Sequence, residues 1–444
     1  MDTSSDMPNE MAAVSSPVTA VAGHRAGLAV SLRPFRHRSF ALLWSGGLVS
    51  TVGSWMQSVA VGALVVAHTG QALWAVVVAA SAFLPIGVLS PVGGALADRL
   101  ARRPVLVAGN LVAALVALAI AVLVAGRDDS PGALSLLVLV QGCVSALISP
   151  FQQAILPDLV PRGDFLAAVS LNSAQFNLGR VIGPALAGAA VALFGYPVAF
   201  EANAVSFLAV VLALGFVRLA PPPTGERLSI WRSVRLGART ARGEPACKGA
   251  ILLIATVGLF ASPFIALVPA MADHLAHGGG RAVATGTAVL TTAQGVGAVT
   301  GALLIPYLAA HFGRGRVLAA SLGLLPPLLV AYGLSATLPV AVVALFLVGL
   351  VYLGVLSGLQ TVVQLRAPHA YRGRVLALYL MALGVAYPIG ALVQGPVADS
   401  IGLAWTTAAG ALALVLAVGA APPLRRAVRE TVEGGEHRGR RGAV

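Results

Sequence analysis

Arg180 sits inside an apolar stretch of about residues 166 to 193. Ser173, Asn177, Arg180 and Pro184 fall at i, i+4, i+7 and i+11, so one helical face would carry all four. A guanidinium at that depth can hold an anion, contact a substrate, partner a titrating carboxylate, or satisfy itself on helix carbonyls. Carboxylates inside apolar runs are few. Glu201 and Asp399 each lie near the outer end of their run. Glu201 is the better candidate proton carrier, because burial would disfavour its charged form; a water-exposed helix-end Glu reads the same in sequence. A direct pair with Arg180 is not expected, since about 13 residues at 1.5 Å each put the guanidinium roughly 20 Å from its helix end.

Amide and hydroxyl stripes recur elsewhere: Ser50, Ser54 and Gln57, then Gln141, Ser145 and Gln152, then Ser357, Gln360 and Gln364. A poorer set is Thr256 and Ser262, and Trp55, Phe83, Phe264, Tyr379 and Tyr387 could add apolar or stacking contacts. Many amides with almost no charge suit a bulky, lipophilic or amphipathic small molecule, although any single Gln or Ser could equally glue two helices. There is no phosphate loop, no His/Cys/Asp metal cluster and no nucleophile elbow, so neither an enzyme, a metal site nor a cofactor is expected. Without a nucleotide site, energy must come from an ion gradient, with protons the expected ion.

The elements that position these residues follow from composition. Of 444 residues, 58% are apolar and 10% charged, with a mean hydropathy of +0.88. Soluble domains carry about 25% charged residues, so this is an all-α integral membrane protein. A soluble enzyme, a nucleic-acid partner and a disulfide scaffold are excluded, and Cys143 and Cys247 offer no framework. Apolar runs predict twelve spans, near residues 40–67, 72–97, 104–125, 132–157, 166–193, 197–219, 249–272, 283–309, 315–335, 338–364, 374–398 and 401–421. Twenty-six of the 29 basic residues fall in the tails and even-to-odd loops, against two in the opposite loops. The positive-inside rule then puts both termini in the cytoplasm of a cell-membrane protein. The first 32 residues lack the apolar core of a signal peptide, so the first span is expected to direct insertion.

The chain divides into a tail (1–38), a six-helix half (39–219), a linker (220–248), a second six-helix half (249–421) and a tail (422–444). In the linker, Arg235 and Arg239 with Trp231 and Leu228 could form a helix on the cytoplasmic leaflet, or a plain solvated segment. The halves echo one another. Pro161, Gly183, Gly188 and Gly195 recur 207 residues later as Pro368, Gly390, Gly395 and Gly402, and Gln153 as Gln360. At an offset of 212, Arg102, Val105 and Leu106 recur as Arg314, Val317 and Leu318. Duplicated halves around a central site suit a rocking transporter.

Between spans two and three stands Gly94-Ala95-Leu96-Ala97-Asp98-Arg99-Leu100-Ala101-Arg102-Arg103. It resembles the loop signature of the major facilitator superfamily, with Ala101 in place of a Gly. The resemblance implies a conformational-switch loop of Gly94, Asp98, Arg99, Arg102 and Arg103, which Asp158 could meet. In the second copy, Ala310 replaces the Asp. Span five carries Gly179-Arg180-Val181-Ile182-Gly183-Pro184-Ala185-Leu186-Ala187-Gly188, similar to the Gly-Pro pattern of exporters and antiporters in that superfamily, with Ala187 for one Gly. Gly179, Gly183 and Ala187 share a face, so plain close packing of helices explains them as well. The stretch from Pro150 to Pro161, Leu171-Asn172-Ser173, and Arg372-Gly373-Arg374-Val375 resemble the branch of enterobactin-type siderophore exporters and macrolide efflux permeases. The resemblance implies twelve spans in two pseudo-symmetric halves, a cavity lined by spans one, four, seven and ten, and proton-coupled efflux of a lipophilic small molecule by a monomer. Uptake, facilitated diffusion and a non-transporting receptor remain the alternatives.

Overall fold

In the computed structural model, residues 31–217, 219, 230–275, 279–368 and 371–420 are described, with the side chains of 230–234 left aside. The N-terminal tail to residue 30, Arg227, Leu228 and the C-terminal tail from 421 therefore lie outside the described residues. Every regular element among the described residues is helical. That outcome follows from the composition, because hydrocarbon offers no partner to an open backbone and a helix satisfies its own.

Six long helices form the first half: α1 (Arg38–Thr69), α2 (Ala72–Ala97), α3 (Arg102–Gly126), α4 (Pro131–Leu159), α5 (Phe165–Phe194) and α6 (Tyr196–Phe216). A short α7 (Ile230–Gly243) follows, and then α8 (Pro245–Phe260), α9 (Phe264–Leu275), α10 (Gly279–Phe312), α11 (Arg314–Gly333), α12 (Leu338–Arg366), α13 (Arg372–Ile401) and α14 (Leu403–Ala420). With α8 and α9 forming one span, twelve segments are long and apolar enough to cross a bilayer. The seventh span departs from expectation, because it is two helices and not one. The backbone turns at Ala261–Pro263, Ser262 N donates to Val257 O in a five-residue step, and Pro263 has no N–H to continue the ladder.

Apolar side chains cover the perimeter. On α3 Leu115, Leu118 and Val122 are exposed, and on α6 Val205, Leu208, Leu212 and Phe216. Such a continuous apolar band is far more than a water-soluble monomer shows and is a surface for lipid.

Equivalent helices make equivalent contacts in the two halves. α2 packs on α4 as α10 packs on α12, α3 on α6 as α11 on α14, and α1 on α5 as α8 on α13. Between halves, α2 lies against α13 and α5 against α10. The offset of 207 thus has a physical basis. A Cβ on Gly183 would stand 2.7 Å from Val52 O of α1, and Gly390 abuts the Leu259 carbonyl of α8. Gly188 instead meets Ala288 of the other half, and Gly395 meets Leu73 and Val76 of the other half. Gly195 and Gly402 end α5 and α13 with φ of +89° and +87°, a conformation that excludes most other residues.

α7 does not float free. Gly237 lies against the backbone of Arg374 at the start of α13, Ala241 is buried, and Arg235 and Arg239 are exposed.

Candidate functional site

One end of the molecule, the basic end, carries the Arg99–Arg103 loop, Arg162, Arg314, Arg316 and Arg366. A cavity of about 2500 Å³ opens there, between the halves. Its walls come from the basic-end portions of α1, α4 and α5 on one side and α10 and α12 on the other, with the starts of α8 and α11 at the mouth. Amides and hydroxyls line it, among them Gln152, Gln153, Asn177, Ser357, Gln360 and Gln364. Gln153 and Gln360, two-fold counterparts, face the same space. Aromatic lining comes from Phe40, Trp44, Phe165 and Phe176. Glu244 is the carboxylate that lines it, at the mouth.

The far end is shut. Val59 to Val66 of α1 pack with Val283, Ala284 and Ala288 of α10 across the halves, and Ala72 and Val76 of α2 pack with Ala266, Leu267 and Ala270 of α9 and Ala391 and Ala398 of α13. Two polar contacts lock the rim. Ala72 N and Leu73 N, the first donors of α2, give hydrogen bonds to the Asp399 carboxylate at 2.6 and 3.0 Å. Tyr196 O–H donates to Gly280 O at 2.7 Å. Gln71, the residue preceding α2, makes no side-chain cap of its own, so Asp399 supplies the cap from the opposite half. The negative group at the positive end of a helix adds a favourable charge–dipole contact.

In the loop after α2, Arg102 Nη1 donates to Asp158 Oδ2 at 2.6 Å, and Arg103 Nη2 to Gly215 O at 3.0 Å. Asp98 and Arg99 are exposed. Gly94 has open space around it; the close approach belongs to Gly93, whose Cβ would stand 2.7 Å from Leu147 O of α4. Gly142 of α4 returns the contact against Ser81 and Ala82 carbonyls at 2.8 Å. Neither glycine stood out in the sequence, because their use depends on which helices meet.

Along α5, Gly179, Gly183 and Pro184 are buried, the two glycines against α1, and Gly188 is buried against α10. The helix runs unbroken through Pro184. Arg180 stands at its midpoint, one turn beyond Asn177. Its Cζ is 5.9 Å from the centre of the Trp55 ring, and its Nε is buried with no hydrogen-bond partner. Asn177 donates to Ser173 O at 2.9 Å, which leaves its amide oxygen for the cavity.

Several residues lie elsewhere than the sequence suggested. Gln57 does not reach the cavity: it is buried, and Asn203 Nδ2 donates to its Oε1 at 2.7 Å, tying α1 to α6. Gln141 is off the cavity too, with a buried Oε1 that has no partner. Glu201 is exposed on the same stripe of α6 as Val205, Leu208 and Leu212, facing outward and not toward Arg180 or the cavity. The helix turn decides this, for α6 buries Asn203 and Ser206 and turns Glu201 away. Phe264, Tyr379 and Tyr387 are core residues. Phe264 meets Tyr352 edge-on, Tyr379 O–H donates to Leu356 O at 2.8 Å, and Phe83 stacks edge-on against Tyr387. Tyr352, bonded to Ser262 at 2.8 Å, is a central polar residue that no sequence pattern marked.

The family described as "Transmembrane secretion effector" matches residues 29–434. The multidrug efflux pump Tap of Mycolicibacterium fortuitum is 27% identical over 386 residues, covering 84% of this chain and 93% of that protein. Macrolide efflux protein A of Streptococcus pyogenes is 25% identical over 394 residues, covering 85% and 94%. Among solved structures, a bacterial homologue of the human lysosomal transporter Spinster, inward-facing and unoccupied, superposes with a TM-score of 0.67 at 15% identity, covering 89% of this chain and 98% of that one.

Proposed function

The chain belongs to the transmembrane secretion effector family of the major facilitator superfamily, a non-enzymatic, multi-pass membrane transporter, and from that premise we propose that it exports a lipophilic or amphipathic small molecule by alternating access. The observation that carries the reading is a cavity open at one end and sealed at the other where the halves pack together. Such a seal can open without unfolding either half. The excess of basic residues assigns the open end to the cytoplasm, with both termini there. Substrate therefore enters from the cytoplasm or the inner leaflet. Outward direction is supported by the efflux names of the relatives and by the family's description. A wall of aromatics and amides supports a bulky, weakly polar substrate, and a single chain encloses the whole cavity, so a monomer suffices.

Protons are the proposed driving ion, and Asp399 makes a contact that outward opening has to break. Its carboxylate caps α2 at the far end, where the external solution reaches it. Outward opening pulls that carboxylate away from the start of α2. Inside-out vesicles containing the protein, loaded with a pH-sensitive dye and offered a panel of lipophilic compounds, test this. Compound-dependent collapse of the pH gradient is the expected result. Folded protein that binds a compound yet moves no proton with any of them would replace antiport by facilitated diffusion.

A further inference from the structure

We propose that the exported molecule carries an anionic group, a carboxylate or similar oxyanion, which seats on Arg180, one turn of α5 beyond Asn177 at the inner end of the cavity. The inference rests on the exporter reading and names its substrate class. Arg180 lies at the midpoint of the 30-residue α5, with about fourteen residues of helix on either side. The nine carboxylates among the described residues all stand in loops or within six residues of a helix end. None forms an ion pair with it.

Among the described residues the Trp55 ring face is what meets the charge, and no carboxylate pairs with it. Arg180 Nε is a buried donor without an acceptor. On α10, Gln294 is 2% exposed, and its Nε2 is a second unpaired donor. It precedes Gly295, which abuts the Arg180 carbonyl. On α13, Tyr387 is 6% exposed with an unpaired hydroxyl, and the offset of 207 makes it the two-fold counterpart of Arg180. The buried Arg180 Nε and Gln294 Nε2, on the two helices that meet here from opposite halves, are donors that lack an acceptor. A cation beside Arg180 would face a buried positive charge, whereas an oxyanion is the planar acceptor a guanidinium fits. Phe176, edge-on to Trp55 at 5.8 Å, supplies apolar wall for the body of the molecule.

The test uses two probes of one skeleton, 1-pyrenebutyrate and 1-pyrenebutylammonium, titrated into the full chain in non-ionic detergent and read by energy transfer from tryptophan. The expected result is that the carboxylate binds at least ten-fold tighter than the ammonium. Arg180→Gln should abolish that margin by weakening the carboxylate alone, and Arg180→Lys should keep most of it. Equal binding of both probes by the unmodified protein, which needs no variant to fold, overturns the proposal, as does equal weakening of both in Arg180→Gln. Competition by inorganic phosphate that matches that of free butyrate would make the site one for simple inorganic anions, and overturns the assignment to substrate. In vesicles, export of the ammonium probe with the carboxylate ignored defeats this inference and keeps the exporter. Arg180-dependent binding of the carboxylate with outward movement of neither probe does the reverse.

Discussion

Asp399 makes its contacts with backbone N–H groups of the opposite half, so its environment changes whenever the far end opens. Replacing it with Asn keeps the size but removes the charge at the start of α2, a contact of about 0.3–1 kcal/mol at a surface site. A shift of that size moves a balanced equilibrium by roughly two- to five-fold. Asp399→Asn should therefore raise the labelling, by an impermeant maleimide, of a cysteine placed at buried Ala284 on a background lacking Cys143 and Cys247. Unchanged labelling would mean that the cap does not hold the far end shut. Gln57 and Asn203 make the opposite case. Both are buried inside one half, and Gln57→Leu strands Asn203 Nδ2, at a cost of about 1–3 kcal/mol. Thermal unfolding in detergent should show a lower midpoint for Gln57→Leu and partial recovery when Asn203→Leu is added. The sequence marked Asp399, Gln57 and Arg180 as unusual but could not assign their partners. Backbone donors leave no trace in residue type, and the facing of α6, which removes Glu201 from the site, is settled by Asn203 and Ser206 packing inward.

Helix by helix, the paired glycines divide into two kinds. Gly183 and Gly390 bring α5 and α13 onto the first helix of their own half, whereas Gly188 and Gly395 touch the other half at the far end. A side chain at the first pair breaks a half, and one at the second pair separates halves. Gly188→Leu and Gly395→Leu should leave folded protein whose Ala284 cysteine labels faster, while Gly183→Leu should lower thermal stability without a selective rise in labelling. The same outcome for both kinds would deny that the repeat encodes two separate interfaces. Eleven of the twelve spans were legible as single helices because apolar length in lipid leaves one solution. The break in the seventh was not. Ser262 and Pro263 look like any small polar step, and it is the bond from Ser262 to Tyr352, ninety residues away, that gives the turn a partner. For α7 the sequence left a basic amphipathic helix and a plain solvated segment both open, and its docking through Gly237 on α13 was not legible.

At the scale of the whole molecule, the proposed cycle has two rigid halves exchange one seal for another. The far-end seal exists here, and at the basic end the wall is open, with Asp98 exposed and Arg102 engaged within its own half. Duplication was visible in the sequence because glycines at crossing points tolerate no substitute, and so the repeat survives where packing is tightest. The open direction was not visible, since the same contacts in sequence serve either state. Distances between spin labels test the exchange most directly. One pair at Asp128 and Ala336 reports the far end, and another at Leu100 and Phe312 the basic end, all four positions being exposed. On binding a transported compound with acid outside, the first distance should lengthen as the second shortens. Distances that stay fixed at both ends, or that change together in one direction, would contradict alternating access.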